Sequence, residues 1–267
     1  MSHDEFVDFA KQHLLAIYDV VFRATNHDEQ ATKIVLATFE RAYIGYENID
    51  PSKPKLMRAW LFRIAADLAS HVVKNSASMS FDALDDIIRS DPTRVTRVQG
   101  LPDSERNNLL WNLEQGCLTS VLSCLNTAER LAFILATTAG LSDKEAARVL
   151  DISVPAYRVR LSRARKKVVG YLAPRCSHIN PANPCHCPSR LGVALDKGFV
   201  SPLSAPIRPK NFDSQATRGD VGRLYETLPA VPPPKDIIAL VKEKLSVGRW
   251  DRLRQAALKE RHQSQQS

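Results

Sequence analysis

No stretch of this 267-residue sequence is long and apolar enough to cross a membrane. Its first residues, MSHDEFVDFAKQH, are acidic where a secretory leader would carry basic residues and then an apolar run. The expectation is a cytoplasmic protein with no membrane partner. Five cysteines, an odd number with three of them inside twelve residues, do not make the paired framework of a disulfide-stapled secreted domain. Catalytic signatures are missing as well. There is no Gly-rich phosphate loop, no HExxH, no nucleophile elbow and no paired-carboxylate pattern, so an enzyme is not expected. A thiol redox enzyme built on Cys185 and Cys187 would need a βαβ surround that the sequence does not show. Few β-branched or aromatic runs alternate with period two. Apolar residues recur instead at spacings of three and four, which predicts an all-α fold.

What is present in excess is positive charge, a formal net +8, and it peaks in residues 127–172. Such a balance favours a polyanionic partner, and nucleic acid before a membrane surface. Ser142 followed by Glu145 is a capping box, which starts a short helix carrying Ala146, Ala147 and Val149 and ending near Leu150. Asp151-Ile152-Ser153 then turns the chain, Ser153 caps the next helix, and Pro155 falls in its first turn, where a missing N–H is harmless. In that second helix Tyr157, Leu161, Ala164 and Val168 share one narrow stripe, and Arg158, Arg160, Arg163, Arg165, Lys166 and Lys167 take the rest of the circumference. Between Ile152 and Cys176 there are seven Lys/Arg and no acid, so the i,i+4 partners that neutralise an ordinary solvated face are absent. A helix-turn-helix with a cationic second helix suits docking in the major groove.

At this length two or three small domains are expected. Residues 1–75 hold three amphipathic helical patterns, the second of them presenting Ala31, Ile34, Val35, Phe39 and Ala42, and read as one compact helical domain. Residues 76–105 lose the periodicity and gain Ser, Asp, Pro and Gly, which predicts a flexible linker. Residues 106–173 form the helix-turn-helix domain, with Cys117 and Cys124 read as small buried hydrophobes. A Cys/His-rich segment, 174–200, precedes a helical extension, 201–267, with a disordered end. Residues 192–213 read as loop, and two amphipathic helices split by prolines are expected at 219–228 and 235–245.

Two long motifs carry a family resemblance. AWLFRIAADLASHVVKN (59–75) is similar to the AWLxRIAxN helix, and GLSDKEAARVLDIS with VRLSRARKKV (140–168) to the GLSxxEIAxxLxIS and xxRLSRARxxL signature, of bacterial sigma factors of the extracytoplasmic-function group. The resemblance covers roughly residues 6–172. It implies a transcription initiation factor that binds core RNA polymerase and promoter DNA, with a −10 domain followed by a −35 domain. By position, Arg158, Arg160, Ser162 and Arg165, with the neighbouring Arg163, Lys166 and Lys167, would meet −35 DNA. The loop at 46–55, including Tyr46 and Lys55, would meet the −10 strand with Arg58 and Arg63. Lys33, Leu36 and Glu40 fall on the helix that would face polymerase, and Lys33 and Leu36 stand where the family has Asp and Gln. Other readings compatible with these residues are a helix-turn-helix regulator that works without polymerase and a degenerate sigma-like module that binds a partner or senses metal.

Cys176, His178, Cys185, His186 and Cys187 crowd into twelve residues. Thiolate and imidazole at that density, in a reducing compartment, would offer soft ligands to zinc or copper(I), the alternative being a Pro-rich connector with incidental thiols. The segment also resembles the cysteine-rich tail of some metal-responsive sigma factors of the same group, which implies intramolecular regulation by the extension. The core function would need no cofactor.

Overall fold

The computed structural model describes residues 3–45, 54–75, 79–89, 98, 100–196, 200 and 219–244. Among the described residues the secondary structure is helical, with no strand. Helices α1 (His3–Thr25), α2 (Asp28–Gly45) and α3 (Pro54–Asn75) pack on one another in the amino-terminal half. Helices α1 and α2 bury the stripes their periodicity predicts, Phe6, Leu14, Ile17 and Tyr18 on α1 and Ala31, Val35 and Phe39 on α2; on α3 the expected stripe of Ala59, Trp60, Ile64, Leu68 and Val72 is only half-buried, and the neighbouring face with Leu61, Phe62, Ala65 and Ala69 enters the core instead. The reversal between α1 and α2 is made by Asn26, whose φ of 54° is a left-handed conformation that an asparagine tolerates. Tyr43 meets Phe6 edge to face at 5.0 Å between ring centroids and is a core residue.

The region expected to be a flexible linker contains a helix, α4 (Phe81–Arg89). Its alternation was too short to stand out from the surrounding turn formers, but Leu84 is buried, Phe81 lies 4.9 Å from the Tyr171 ring, and Asp85 accepts a hydrogen bond of 2.8 Å from the Tyr171 hydroxyl. The carboxy-terminal half starts earlier than predicted, with α5 (Asp103–Ser123), then α6 (Thr127–Thr137), α7 (Asp143–Val149) and α8 (Val154–Leu172). Residues 192–213, read as loop, begin inside another helix, α9 (Cys187–Asp196), before passing outside the described residues. The extension then supplies α10 (Val221–Glu226) and α11 (Ile237–Lys244), close to the two short helices expected there.

The two halves share one core. Residues of α1 to α3, α6 to α8, α10 and α11 belong to a single cluster of buried side chains. Two buried arginines stitch the seam. Arg23 of α1, fully buried, donates to Asp19 Oδ1 at 2.9 Å, to Gln115 Oε1 of α5 at 3.3 Å and to the carbonyl of Pro229 at 3.0 Å. Arg130 of α6 donates to the carbonyls of Ala24 at 2.7 Å, Ser123 at 2.6 Å and Leu125 at 3.2 Å. A guanidinium taken out of water needs acceptors, and here α1, α5 with the turn after it, and the proline-rich segment before α11 supply them to every nitrogen but Arg23 Nη1 and Arg130 Nε.

Candidate nucleic-acid interface and thiol cluster

The helix-turn-helix forms where the residues say it should. Ser142 caps α7, its side chain accepting from the Glu145 N–H while the Glu145 carboxylate accepts from the Ser142 N–H at 2.9 Å, the reciprocal pair of a capping box. Ser153 caps α8 by accepting from Ala156, and Asp151 turns the chain between them at a φ of 55°. Tyr157, Leu161, Ala164 and Val168 are buried, and the Tyr157 hydroxyl donates to the Ala132 carbonyl at 3.1 Å, locking α8 onto α6.

This packing fixes which cations face outward. At 100° per residue Lys166 points away from the buried stripe, with Ser162, Arg158 and Arg165 on one flank and Arg163 on the other, and all five are exposed. Arg158 reaches back to Asp143 at the start of α7, 2.7 Å away. Lys167 behaves differently from the expected phosphate contact. It pairs at 2.7 Å with Glu129, whose side chain is only 7% exposed, and so acts as a tie between α8 and α6. Arg160 is half-buried and lines a cleft of about 830 Å³ between the two halves, together with Arg63 and Asp151. The acids that partner Arg158 and Lys167 come from α7 and α6, so a search within the helix could not see them.

Of the residues expected at the −10 strand, Tyr46 lies outside the described residues, and Lys55 is exposed at the start of α3. Arg63 pairs with Asp151 in the helix-turn-helix at 2.9 Å, and Arg58 donates to the Ala139 carbonyl at 2.9 Å. Both are turned onto the half that carries the helix-turn-helix. On α2, Lys33 is exposed and paired with Glu29 at 2.6 Å, Glu40 is half-buried, and Leu36 is 8% exposed, a core residue in this arrangement.

The Cys/His segment folds back onto α5. Cys176 and Cys185 pair through their backbones, with the Cys185 N–H donating to the Arg175 carbonyl and the Ser177 N–H to the Cys185 carbonyl. His178 Nε2 lies 3.4 Å from Cys187 Sγ and 3.6 Å from Glu114 Oε1, and ligand atoms of these three residues lie within 4.8 Å of one another. Cys117, Cys176 and Cys185 line the same cavity, of about 250 Å³. His186 is exposed, apart from that trio. Burial pushes the Cys117 thiol up to about 12, raises Cys176 and Cys187, and lowers His178, so without a cation the site holds neutral thiols and a neutral imidazole. Carboxylate, imidazole and thiols converging on one small cavity fit a soft or borderline divalent ion, which would replace the thiol protons. Sequence reading missed Glu114 and Cys117. The signal was their spacing of three on α5, which puts both on one helical face.

Comparison with known proteins agrees with this architecture. Residues 115–168 match the family described as sigma-70, region 4. The chain is 30% identical over 143 residues to the RNA polymerase sigma factor CnrH of Cupriavidus metallidurans, covering 52% of this chain and 71% of that one. It is 31% identical over 144 residues to the RNA polymerase sigma factor NccH of Alcaligenes xylosoxydans xylosoxydans, with 52% and 71% covered. It is also 26% identical over 176 residues to the ECF RNA polymerase sigma factor SigE of Mycolicibacterium smegmatis, a match spanning 66% of this chain and 63% of that relative. With a capped helix-turn-helix whose outer face is cationic and sigma factor relatives of which the chain covers up to 71%, the chain belongs to the extracytoplasmic-function group of sigma-70 RNA polymerase sigma factors.

Proposed function

We propose that the protein acts in the cytoplasm as a promoter-specificity subunit whose α8 reads the −35 element through Ser162, Arg163, Arg165 and Lys166, with Arg158 released from Asp143 on contact. The observation that carries this reading is the outward face of α8, where four exposed cations stand around Ser162. Phosphates take the cations as point charges, and Arg165 offers the planar fork that can hold a guanine edge. Lys55, Arg58 and Arg63 serve the −10 strand, and the outer face of α2, around Lys33 and Glu40, meets core polymerase.

The two promoter elements lie roughly 20–25 base pairs apart, about 70–85 Å along B-form DNA at 3.4 Å per pair. A structure in which Arg63 touches Asp151 at 2.9 Å cannot read both elements together. The closed arrangement is therefore the free protein, and promoter engagement separates the halves at the Arg58–Ala139 and Arg63–Asp151 contacts. Run-off transcription with core polymerase tests the reading: a start-site-specific transcript that appears only with this protein supports it, and binding to DNA with no such transcript on any genomic template refutes it.

The Cys/His cavity is the proposed metal site, held by Glu114, His178 and Cys187, with Cys117, Cys176 or Cys185 completing the set. A bound ion would supply folding free energy to a proline-rich segment that has little core of its own. Elemental analysis of protein purified without a metal-binding tag is the test, beside the melting profile. Zinc or copper near one equivalent, with a melt lowered by chelator, supports the site; less than about a tenth of an equivalent after reducing reconstitution leaves the segment as a connector.

A further inference from the structure

We propose that the cavity between α4, α5 and α9 is a binding site for a small amphiphilic carboxylic acid, whose apolar body fills the cavity and whose carboxylate is held by Arg190.

The cavity follows from the way α9 packs on α5. Along α9, Cys187, Arg190, Val193 and Ala194 recur at spacings that place them on one face, and on α5 Leu113, Gly116, Cys117 and Ser120 do the same. The two faces line one space and do not fill it. Gly116 has no side chain, and a Cβ there would meet no atom within 4 Å. Leu84 and Ile87, one turn apart on α4, line a third side. What remains is a cavity of about 420 Å³, inside the range of roughly 300–1,000 Å³ that small-molecule sites occupy. Gly116 is exposed, so the cavity has a mouth beside it.

Its walls come from two separate clusters of buried side chains. Leu84 belongs to the large core shared by the two halves. Ala194 and Val200 belong, with Val98, Leu109 and Leu191, to a smaller cluster where α9 meets the first turns of α5, and Leu113 packs against it. Apolar walls that face a void forgo the dispersion contacts a filled core would give them. A hydrocarbon or aromatic body lying between Leu84 and Leu113 would supply those contacts and join the two clusters.

Arg190 sets the other half of the ligand's chemistry. It is half-buried, and its Nε is shut away from solvent with no hydrogen-bond partner. Among the described residues that line the cavity it is the one ionised side chain. A buried N–H left unpaired is costly, and the Nε and Nη donors of a guanidinium form a fork that fits the two oxygens of a carboxylate. Ser120 is already engaged, donating to the Gly116 carbonyl at 2.8 Å and accepting from Asn26 at 3.4 Å. The acid therefore falls to Arg190. Cys117, Cys185 and Cys187 border both this cavity and the proposed metal site, so binding has to be shown with no ion present.

The test uses the full chain, reduced and treated with chelator, with decanoate as the probe. Calorimetry should show saturable binding near one equivalent below the micelle concentration, together with a raised melting midpoint. Decanol, which lacks the charge, and acetate, which lacks the apolar body, should each bind at least about tenfold more weakly. Arg190→Leu should weaken decanoate by about tenfold or more, and should leave the melt of the unliganded protein unchanged or raised, since Nε has no partner to lose. Gly116→Leu puts a side chain into the cavity and replaces a glycine in mid-helix, so it should keep a cooperative melt and abolish binding. No saturable binding, decanol as tight as decanoate, binding that appears only with added zinc, or binding unaltered by Arg190→Leu overturns the proposal. So does unaltered binding in a folded Gly116→Leu protein; should that variant fail to fold, the decanol comparison and Arg190→Leu decide.

Discussion

Arginine is put to opposite uses at the seam between the halves and on the outer face of α8. At the seam Arg23 and Arg130 are buried, and their guanidinium groups are taken up by a carboxylate, an amide and backbone carbonyls from four separate parts of the chain. On α8, Arg163 and Arg165 stand in solvent, and no acid among the described residues forms a salt bridge with either. The residue type is the same. The difference lies in whether a second element arrives with acceptors, and that decides whether a cation holds the fold or meets a ligand. Lys167 sits between the two cases, on the cationic helix yet tied to the buried Glu129.

The largest effect should come from the seam. Arg23→Met leaves the Asp19 carboxylate buried with its guanidinium gone; burial already pushes that carboxyl up, and Arg23 is the chief influence opposing it. Removing one partner of a buried pair costs about 3–5 kcal/mol, which chemical denaturation would read as a large loss of midpoint. The companion Asp19→Leu should restore part of that loss in the double variant. Its salt slope for DNA should match the wild type, and a double variant no more stable than the single would show that the pair is not the source.

The outer face should give the next largest. Arg165→Ala is expected to cost about 1–3 kcal/mol of preference for one base at the −35 element and nothing in stability. Lys166→Ala should weaken all sequences alike and flatten the dependence of log K on log salt by about one unit. Lys167→Ala, by contrast, should lower the melting midpoint by freeing Glu129 and leave that slope unaltered. Fluorescence anisotropy against salt, run beside thermal melts, distinguishes the three. A flattened slope for Lys167→Ala with an unaltered melt would put it back among the phosphate contacts.

The same contrast explains which parts of the molecule the sequence disclosed. The capping box at Ser142, the cap at Ser153, the proline at 155 and the stripe from Tyr157 to Val168 are local patterns, and each stands in the structure within a residue of its expected place. Periodicity reports which side of a helix is apolar. It is silent on which distant element will meet the polar side. Hence Glu129 beneath Lys167, Asp85 beside Arg175 and Asp151 against Arg63 were all illegible, being contacts across long separations in sequence. Helix α4 escaped notice for a related reason, since Phe81 and Asp85 acquire their partner Tyr171 only when α8 arrives. The −10 loop at 46–53 lies outside the described residues, and its expected role rests on Lys55, Arg58 and Arg63 alone.

The smallest effect is at the capping box, where a local pattern can be checked without any tertiary partner. The Glu145 carboxyl is held below its ordinary value of 4.5, first by the hydrogen bond from the Ser142 side chain, then by the Ser142 N–H, with Lys55 and Arg58 contributing weakly. Because the folded value is depressed, the contribution is complete above the unfolded value and fades as pH falls through the folded one, so the cap should loosen below about pH 4.5. Ser142→Ala removes both the acceptor for the Glu145 N–H and the main anchor of the carboxylate, and should cost about 1 kcal/mol at neutral pH. At pH 3.5, roughly a unit below that value, wild type and variant should have drawn closer together in stability, since acid has already undone in one what mutation undid in the other. A gap in melting midpoint that stays constant from pH 7 to about pH 3.5 would mean that the carboxylate takes no part in starting the helix that positions α8.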